Sequence, residues 1–220
     1  MVKKKIKEQK VNIGLFGKYI KRLHLKKIIK KKFNNKVEFY YLKEFEPFEK
    51  YNKINFKFIF SYGYGKIFNK NFFKQNKKTK IYNLHNAYLP FGRGIYPNLW
   101  CIIYNQPIGY SIHQIDNYKI DSGPIILRKK VKIKKNDNLK KIFIKIRGKL
   151  EKSFIKILSN ILLNKVEPIP QKRFYKKNQK NVYFSKKNSI KLLNLLPKKW
   201  NTDTKELVEI YKKHKINLKI

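Results

Sequence analysis

The residues best suited to chemistry lie in one segment of this chain, residues 83–124. This segment holds two of the four histidines, His85 and His113, and two of the four aspartates, Asp116 and Asp121. It also holds four of the eight prolines and four of the nine glycines, although Lys, Ile, Asn and Tyr dominate the chain elsewhere. A compositional bias does not gather turn-forming and titratable residues in this way. The segment therefore predicts a site that needs a defined backbone and acid–base chemistry.

Asn83 and His85 are two positions apart at the end of a predicted strand. Side chains alternate along a strand, so both project from one face, about 6.5–7 Å apart. An amide and an imidazole directed at one space can hydrogen-bond to a carbonyl and stabilise an oxyanion that develops there. His85 can also act as an acid or base, with Asp116 or Asp121 to orient it or receive a proton. This set of residue types is suited to acyl-group chemistry.

Each of these residues also has a purely structural interpretation. An Asn-x-His pair is common by chance, and a lone histidine at a strand end is more often a hydrogen-bonded structural residue than a catalyst. Asp121 lies in Asp-Ser-Gly-Pro, where its carboxylate can bond the following amides of a turn. We expect no metal site, because His85 and His113 are widely separated and neither belongs to a His-Glu-x-x-His or paired-Cys array.

The elements around this segment alternate between strands and helices. Apolar runs predict strands at 11–16, 37–42, from 54 to the glycines at 63 and 65, 80–84, 109–115 and 124–133. Helical spacing predicts helices at 19–33, shortly after 68, after 97 and at 139–163, and a small one near 203–213. This alternation predicts an α/β fold with parallel strands, whose ligands collect beyond the carboxyl ends of the strands.

Two glycine clusters lie near predicted strand ends, Gly-Leu-Phe-Gly-Lys-Tyr at 14–19 and Gly-Tyr-Gly-Lys-Ile-Phe at 63–68. Neither has the spacing of a phosphate-binding P-loop, and no Gly-x-Gly-x-x-Gly follows the first strand. A P-loop kinase or a dinucleotide-dependent dehydrogenase is therefore not expected.

The chain carries a net charge of +42, but lysine provides fifty of its 55 basic residues. Nucleic-acid readers usually rely on arginine, whose planar guanidinium grips phosphates and guanine edges bidentately. The lysines are also spread over the whole chain beside Ile and Asn. We interpret the charge mainly as compositional drift, although it would attract anionic substrates and polyanions.

At 220 residues, the chain is expected to form one main domain, residues 1–165, and a small extension, residues 166–220. The basic first residues lack the apolar run of a secretory signal, and no stretch of about eighteen apolar residues predicts a membrane span. The single cysteine, Cys101, excludes an internal disulfide and favours a reducing compartment. We expect a soluble, cytoplasmic protein.

Several short motifs follow one another through the central segment. They are Asn83-Leu84-His85, Leu89-Pro90, Arg93-Gly94, Gly109-Tyr110-Ser111-Ile112-His113, Ile115-Asp116 and Asp121-Ser122-Gly123-Pro124-Ile125-Ile126. In this order and spacing they resemble the formyltransferases that use 10-formyltetrahydrofolate. The resemblance covers about residues 55–130 and implies a Rossmann-like, mostly parallel sheet flanked by helices. One departure is Ala87, where the family usually has Ser.

The resemblance implies that Asn83, His85 and Asp121 are the catalytic residues. An amine would attack the formyl carbon of 10-formyltetrahydrofolate, with Asn83 and His85 stabilising the oxyanion. Asp121 would tune His85 and help to remove the amine proton. The family also holds the folate largely through backbone groups of two loops. Here the corresponding residues are Tyr62, Gly63, Tyr64, Gly65, Lys66, Ile67, Phe68, Asp116 and Ile120.

Three acceptor amines compete within this family. Glycinamide ribonucleotide formyltransferases resemble a pattern with a Gly/Ser-rich phosphate loop after the first strand, which is missing here. Methionyl-tRNA formyltransferases add a C-terminal barrel, for which the residues after Leu163 are too few. Enzymes that formylate nucleotide-linked amino sugars, for bacterial surface polysaccharides, often contain Arg-Gly-x-x-Pro-Asn-x-Trp, as residues 93–100 do here.

We therefore expect a nucleotide-linked amino sugar as the acceptor, with methionyl-tRNA or glycinamide ribonucleotide as the alternatives. Arg93, Asn98 and Trp100 are the candidate acceptor-binding residues, although Trp100 could instead pack a helix against the sheet and Arg93 could fix the loop. The extension would form a hairpin or dimerisation element, since such sugar enzymes are commonly dimeric. A different class stays open, an inactive formyltransferase-like module that binds polyanions.

Overall fold

The computed structural model describes residues 10–134, 136–175 and 183–214. Within them, the strands in chain order are β1 (Val11–Phe16), β2 (Val37–Leu42), β3 (Phe56–Ser61), β4 (Lys80–His85), β5 (Arg93–Gly94), β6 (Gly109–Gln114), β7 (Ile125–Lys130) and β8 (Tyr183–Phe184). The helices are α1 (Leu25–Lys32), α2 (Lys70–Gln75), α3 (Pro97–Ile103), α4 (Leu139–Leu162), α5 (Lys186–Leu195) and α6 (Thr204–Lys213).

The main sheet has six strands in the order β2-β1-β3-β4-β6-β7. Strands β1 to β4 run parallel, whereas β6 and β7 are antiparallel to their neighbours. The carboxyl ends of β1, β3 and β4 therefore meet at one edge of the sheet, where ligands of α/β proteins collect. The mostly parallel α/β fold predicted from the sequence is confirmed.

Helices cover both faces of the sheet. On one face, α1 and α4 pack on Phe58 and Phe60 of β3. On the other face, α2 packs through Phe72 against Ile59, the β3 residue between those two. This arrangement follows from the alternation of side chains along a strand, because a strand buried on both faces must be apolar throughout.

The long helix α4 confirms the prediction for 139–163 to within one residue. Its N-cap is Asn138, whose side chain accepts a hydrogen bond from the Lys141 amide at 2.9 Å, as N-cap residues do. The predicted helix at 19–33 is instead divided at His24, which takes a left-handed φ of 47° between a 3-10 turn and α1. Among the described residues, no helix is both long and apolar enough to cross a bilayer.

The C-terminal extension differs from the expected hairpin. Its described part contains the short strand β8 and two helices, of which α6 was predicted near 203–213 and α5 was not predicted. Ser185 caps α5, and Leu192 and Leu196 are buried against Trp100 of α3 together with Leu207 of α6. A helix forms here because its leucines have an apolar partner outside the extension, which overrides weak local patterning.

Candidate active site

Strands β4 and β6 place three polar side chains side by side. Asn83 pairs across the sheet with His113, and His85 pairs with Ser111. Asn83 Nδ2 lies 3.2 Å from His113 Nε2, and the two imidazole rings have centroids 6.1 Å apart. The expected common face for Asn83 and His85 is therefore observed, and His113 joins them.

The loop before β7 brings Asp121 to this group. Its Oδ1 accepts a hydrogen bond from Asn83 Nδ2 at 3.2 Å and lies 3.3 Å from His113 Nε2. Its Oδ2 accepts from the Gly94 amide at 2.9 Å and lies 3.6 Å from His85 Nδ1. The Asp121 carboxylate thus contacts residues of β4, β6 and β5. A turn residue would need only hydrogen bonds to the amides that follow it.

Backbone carbonyls set the orientation of both imidazoles. His85 Nε2 donates to the Gly92 carbonyl at 2.8 Å, so its Nδ1 is the nitrogen that faces Asp121. His113 Nδ1 donates to the Gln114 carbonyl at 2.8 Å, which leaves Nε2 to accept from Asn83. These assignments follow from the rule that a carbonyl only accepts. His85 can therefore exchange a proton only at Nδ1 while this bond is intact.

Burial and neighbouring charges shift the pKa values of this group. Burial lowers the pKa of the His85 imidazole below its ordinary value and outweighs the opposite effect of Asp121. Burial alone would raise the pKa of the Asp121 carboxyl, but the adjacent imidazoles of His85 and His113 and the Gly94 amide hold it well below its ordinary range. At neutral pH the site therefore contains a neutral His85 and an ionised Asp121.

Asn83, His85 and Asp121 line a cavity of about 460 Å³, within the roughly 300–1,000 Å³ typical of ligand pockets. Of the predicted folate-binding residues, those lining the same cavity are Gly63, Tyr64, Gly65, Lys66, Ile67, Phe68 and Ile120. Asn98, a predicted acceptor-binding residue, lines it as well. Its Nδ2 donates to the Asn86 carbonyl at 2.7 Å, whereas its Oδ1 is buried without a partner.

Two predicted folate-binding residues lie away from this cavity. Tyr62 is fully buried in the core, and its amide and carbonyl are bonded to Phe16 and Tyr19. Asp116 lines a separate depression beside β4, and its carboxylate accepts from Asn117 Nδ2 at 2.6 Å. The structure therefore does not bring these two residues to the cavity.

Two predicted acceptor-binding residues also have other roles. Trp100 is fully buried, stacked on Phe184 with ring centroids 4.8 Å apart, and its Nε1 donates to Ser189 Oγ at 2.9 Å. Arg93 Nη2 donates to Gln171 Oε1 at 2.9 Å and to the Tyr175 hydroxyl at 2.8 Å. Trp100 is therefore a packing residue, but it packs α3 against the C-terminal extension and not against the main sheet as expected. Arg93 fixes its loop, as the alternative interpretation expected, and neither residue lines the cavity.

A family model described as formyl transferase matches residues 18–158, which is more than half of the chain and includes Asn83, His85 and Asp121. The chain belongs to the formyl transferase family.

Among solved structures, this formyl transferase is similar to the formyltransferase PseJ from Anoxybacillus kamchatkensis, whose crystal structure contains UDP-4,6-dideoxy-4-formamido-L-AltNAc and tetrahydrofolate. The two are 30% identical with a TM-score of 0.70, over 89% of this chain and 97% of that one. A sugar N-formyltransferase from Shewanella sp FDAARGOS_354 is 17% identical with a TM-score of 0.69, over 92% of this chain and 87% of that one, which shows the shared fold.

Curated relatives match over shorter segments. The dTDP-4-amino-4,6-dideoxyglucose formyltransferase of Mycobacterium tuberculosis is 35% identical over 60 residues, 27% of this chain and 25% of that protein. The methionyl-tRNA formyltransferase of Thermodesulfovibrio yellowstonii is 34% identical over 90 residues, 41% of this chain and 29% of that protein. The match therefore spans only about a quarter of the length of these relatives.

Sequence reasoning missed two residues of the site in this formyl transferase. His113 was recognised only as part of a motif, because its position opposite Asn83 depends on the register of β4 and β6. Gln171, in the extension, is almost fully buried and donates to the carbonyls of Asp121 and Gly123. No local pattern marks Gln171, since its partners are about fifty positions away in the chain.

Ala87, the departure from the family pattern, belongs to the wall behind the site. The residue is fully buried, and its carbonyl accepts from Ser111 Oγ at 2.8 Å. The same hydroxyl accepts from the Leu89 amide at 2.9 Å. Ser111, on β6, therefore holds the loop that follows β4, and Ala87 is not among the residues that line the cavity.

Proposed function

We propose that this protein transfers a formyl group from 10-formyltetrahydrofolate to the primary amine of a nucleotide-linked amino sugar. The observation that carries the proposal is the convergence of Asn83, His85 and Asp121 on the wall of one cavity that also includes the loop at residues 63–68. A solved relative, 30% identical over nearly its whole length, holds a formamido sugar nucleotide together with tetrahydrofolate. That pair of ligands matches the two parts of the proposed reaction.

The cavity is suited to a folate beside an amine. Its lining combines apolar residues of the 63–68 loop with the polar group at Asn83, and the amide oxygens of Asn86 and Asn98 are buried there without a partner. A buried acceptor without a partner is unfavourable and is normally satisfied by a ligand or water. 10-Formyltetrahydrofolate would bring an activated formyl group bound to nitrogen.

Asn83 would stabilise the oxyanion that forms when the amine adds to the formyl carbon. In this structure both hydrogens of its amide are directed at Asp121 and His113, so one of these bonds would be exchanged for the substrate oxygen. His85, neutral and free at Nδ1, would accept the proton that the attacking amine loses. Asp121, 3.6 Å from that nitrogen, would stabilise the resulting imidazolium. The tetrahedral adduct would then collapse with cleavage of the bond between the formyl carbon and the folate nitrogen, and His85 would return the proton to that nitrogen as tetrahydrofolate leaves.

A methionyl-tRNA acceptor is the second candidate. Its support is the 34% identity over 90 residues to a methionyl-tRNA formyltransferase and the net charge of +42. The sugar acceptor is favoured because PseJ is 30% identical with a TM-score of 0.70 over 97% of its chain, whereas the solved methionyl-tRNA formyltransferase from Clostridium thermocellum is 20% identical with a TM-score of 0.54 over 75% of its chain. Glycinamide ribonucleotide stays third, since the solved enzyme of that class is 18% identical and shares the fold alone.

The cell compartment and the pathway of the reaction are also proposals. We propose a cytoplasmic location, supported by the buried and free thiol of the single cysteine, Cys101. A role in surface-polysaccharide synthesis follows from the proposed acceptor.

A homodimer is proposed by resemblance to other sugar formyltransferases, and sedimentation equilibrium tests it. The inactive-module alternative is disfavoured by the assembled group at His85 and Asp121.

The test is a transfer assay with 10-formyltetrahydrofolate and a panel of nucleotide-linked amino sugars, initiator methionyl-tRNA and glycinamide ribonucleotide. We expect product with an amino sugar nucleotide, and replacing His85 with Ala should lower kcat by roughly 100- to 10,000-fold while the fold is retained. His214→Ala serves as a control, because this exposed histidine ends α6.

Formylation of tRNA alone would overturn the choice of acceptor. Near-normal turnover by His85→Ala would show that the proposed chemistry is wrong. Salt-dependent polyanion binding without any formyl transfer would favour the inactive module.

A further inference from the structure

We propose that Gln171, in the C-terminal extension, is a positioning residue that holds the loop of Asp121 in its catalytic geometry. This inference rests on the proposed function for its effect on catalysis. The extension would then complete the active site, although it contributes none of the three candidate catalytic residues.

Both the nitrogen and the oxygen of the Gln171 amide make hydrogen bonds to the loop of Asp121 or to Arg93 beside it. The residue is 3% exposed, and its Nε2 donates to the carbonyls of Asp121 and Gly123 at 2.8 Å each. Its Oε1 accepts from Arg93 Nη2 at 2.9 Å. One side chain therefore fixes the backbone at two positions of the loop and the arginine beside it.

The Asp121 backbone needs such support. Asp121 has a φ of 48°, in the left-handed region that residues other than glycine rarely adopt. A residue persists in this conformation only where its surroundings hold it. If the loop relaxed to a negative φ, the carboxylate would move away from His85 Nδ1 and from the Gly94 amide.

A second connection runs through the same extension. Gly94 lies in β5, which pairs in parallel with β8, so that Arg93 is opposite Tyr183 and Gly94 is opposite Phe184. The Gly94 amide donates to Asp121 Oδ2 at 2.9 Å. The extension thus holds the main chain of Asp121 through Gln171 and its carboxylate through β8 and β5. Arg93 joins the two connections, since it bonds Gln171 and precedes Gly94.

Two substitutions distinguish positioning of the Asp121 loop by Gln171 from simple packing of its side chain. Gln171→Met keeps the approximate volume and removes all three hydrogen bonds. Gln171→Glu keeps the shape and an acceptor for Arg93, but removes the donors to the carbonyls of Asp121 and Gly123. We expect both variants to lower kcat by roughly 10- to 100-fold, because small misplacements of catalytic groups have such effects. The KM values for both substrates should be unchanged.

The matched control is Ser189→Ala in the same extension. Ser189 is fully buried and also makes two hydrogen bonds, to the Ile95 carbonyl and from Trp100 Nε1. It has no contact with Asp121, so we expect a loss of stability similar to that of Gln171→Met with kcat near the wild-type value. If Ser189→Ala lowered kcat as much as Gln171→Met, or if Gln171→Met turned over normally, the proposal would be overturned.

A readout independent of turnover distinguishes this inference from the proposed function. The ring signals of His85 in NMR spectra, assigned with His85→Ala, report on its carboxylate neighbour. We expect Gln171→Met to shift them towards those of Asp121→Asn, whereas Ser189→Ala should leave them in place. Unchanged His85 signals in Gln171→Met would disprove the positioning role. Shifted signals in a protein that formylates no acceptor would support the positioning role and count against the proposed function alone.

Discussion

At the residue scale, the two ring nitrogens of His85 differ because a backbone carbonyl binds one of them. The Gly92 carbonyl holds Nε2 as a donor, and Nδ1 is left facing Asp121. The imidazole is nevertheless buried, which favours its neutral form over the ion pair. His85 is therefore neutral at neutral pH and has a carboxylate beside its Nδ1, which is what its proposed role as a base requires.

These pKa shifts predict how stability depends on pH. In the unfolded chain His85 takes a proton near its ordinary pKa of about 6.5, while in the folded protein it does so only at a lower pH. Stability should therefore decrease as the pH falls below about 6.5, since the unfolded state binds the extra proton. The contribution of Asp121, whose pKa is also lowered, is present above about pH 3.9 and is lost only at more acidic pH.

The measurement is the thermal midpoint of the wild type and of His85→Gln from about pH 8 to about pH 5, a range set by the ordinary histidine pKa. Glutamine can still donate to the Gly92 carbonyl but does not titrate. We expect a smaller decrease for the variant than for the wild type below about pH 6.5. Equal decreases would contradict the assignment of a buried neutral His85.

At the element scale, the two-residue strands β5 and β8 link the C-terminal extension to the candidate active site. Their pairing connects the extension to Gly94 of β5, whose amide donates to the Asp121 carboxylate. Gly94 has a φ of 94°, and a Cβ added there would meet the Phe184 carbonyl oxygen at close range. Glycine is required at this position for both reasons.

Two glycine substitutions test this element. Gly94→Ala should lower the free energy of unfolding by about 1–3 kcal/mol through overpacking and should lower kcat by displacing the amide from Asp121. Gly148→Ala is the matched control, because Gly148 lies within α4 and an added Cβ meets nothing within 4 Å. The control should raise stability by about 0.5–1 kcal/mol.

Urea denaturation and the transfer assay check both variants. Retention of wild-type kcat by a folded Gly94→Ala variant would show that the Gly94 amide is not needed at Asp121. A lower free energy of unfolding for Gly148→Ala would contradict the conclusion that this helical position has room for a methyl group.

At the scale of the whole molecule, the net charge of +42 is the dominant property. Its effect on polyanions should be electrostatic and therefore salt-dependent. The candidate active site contains groups of both signs and lies in a cavity, so the chemical step should respond little to added salt. Polyanion binding and the chemical step can therefore be distinguished by measuring RNA affinity and kcat at the same series of salt concentrations.

We expect affinity for a random RNA oligonucleotide to fall by about 1,000-fold or more between about 50 and 200 mM salt, as for several phosphate contacts. The kcat for an amino sugar nucleotide should stay constant over the same range. Fluorescence anisotropy and the transfer assay measure the two quantities. Tight, saturable binding of initiator methionyl-tRNA that persists at the higher salt would instead favour the tRNA function.

The amino-acid sequence by itself determined the six strands of the main sheet, the long helix α4 and the choice of Asn83, His85 and Asp121 as candidate catalytic residues. These depend on local periodicity and on motif order, both of which can be read along the chain. Only the tertiary structure decided which side chains face the cavity. Trp100 turned out to be packed in the core, and Gln171 turned out to hold the Asp121 loop. The physical reason is that burial and hydrogen bonding between residues distant in sequence depend on the packing of whole elements, which no local pattern encodes.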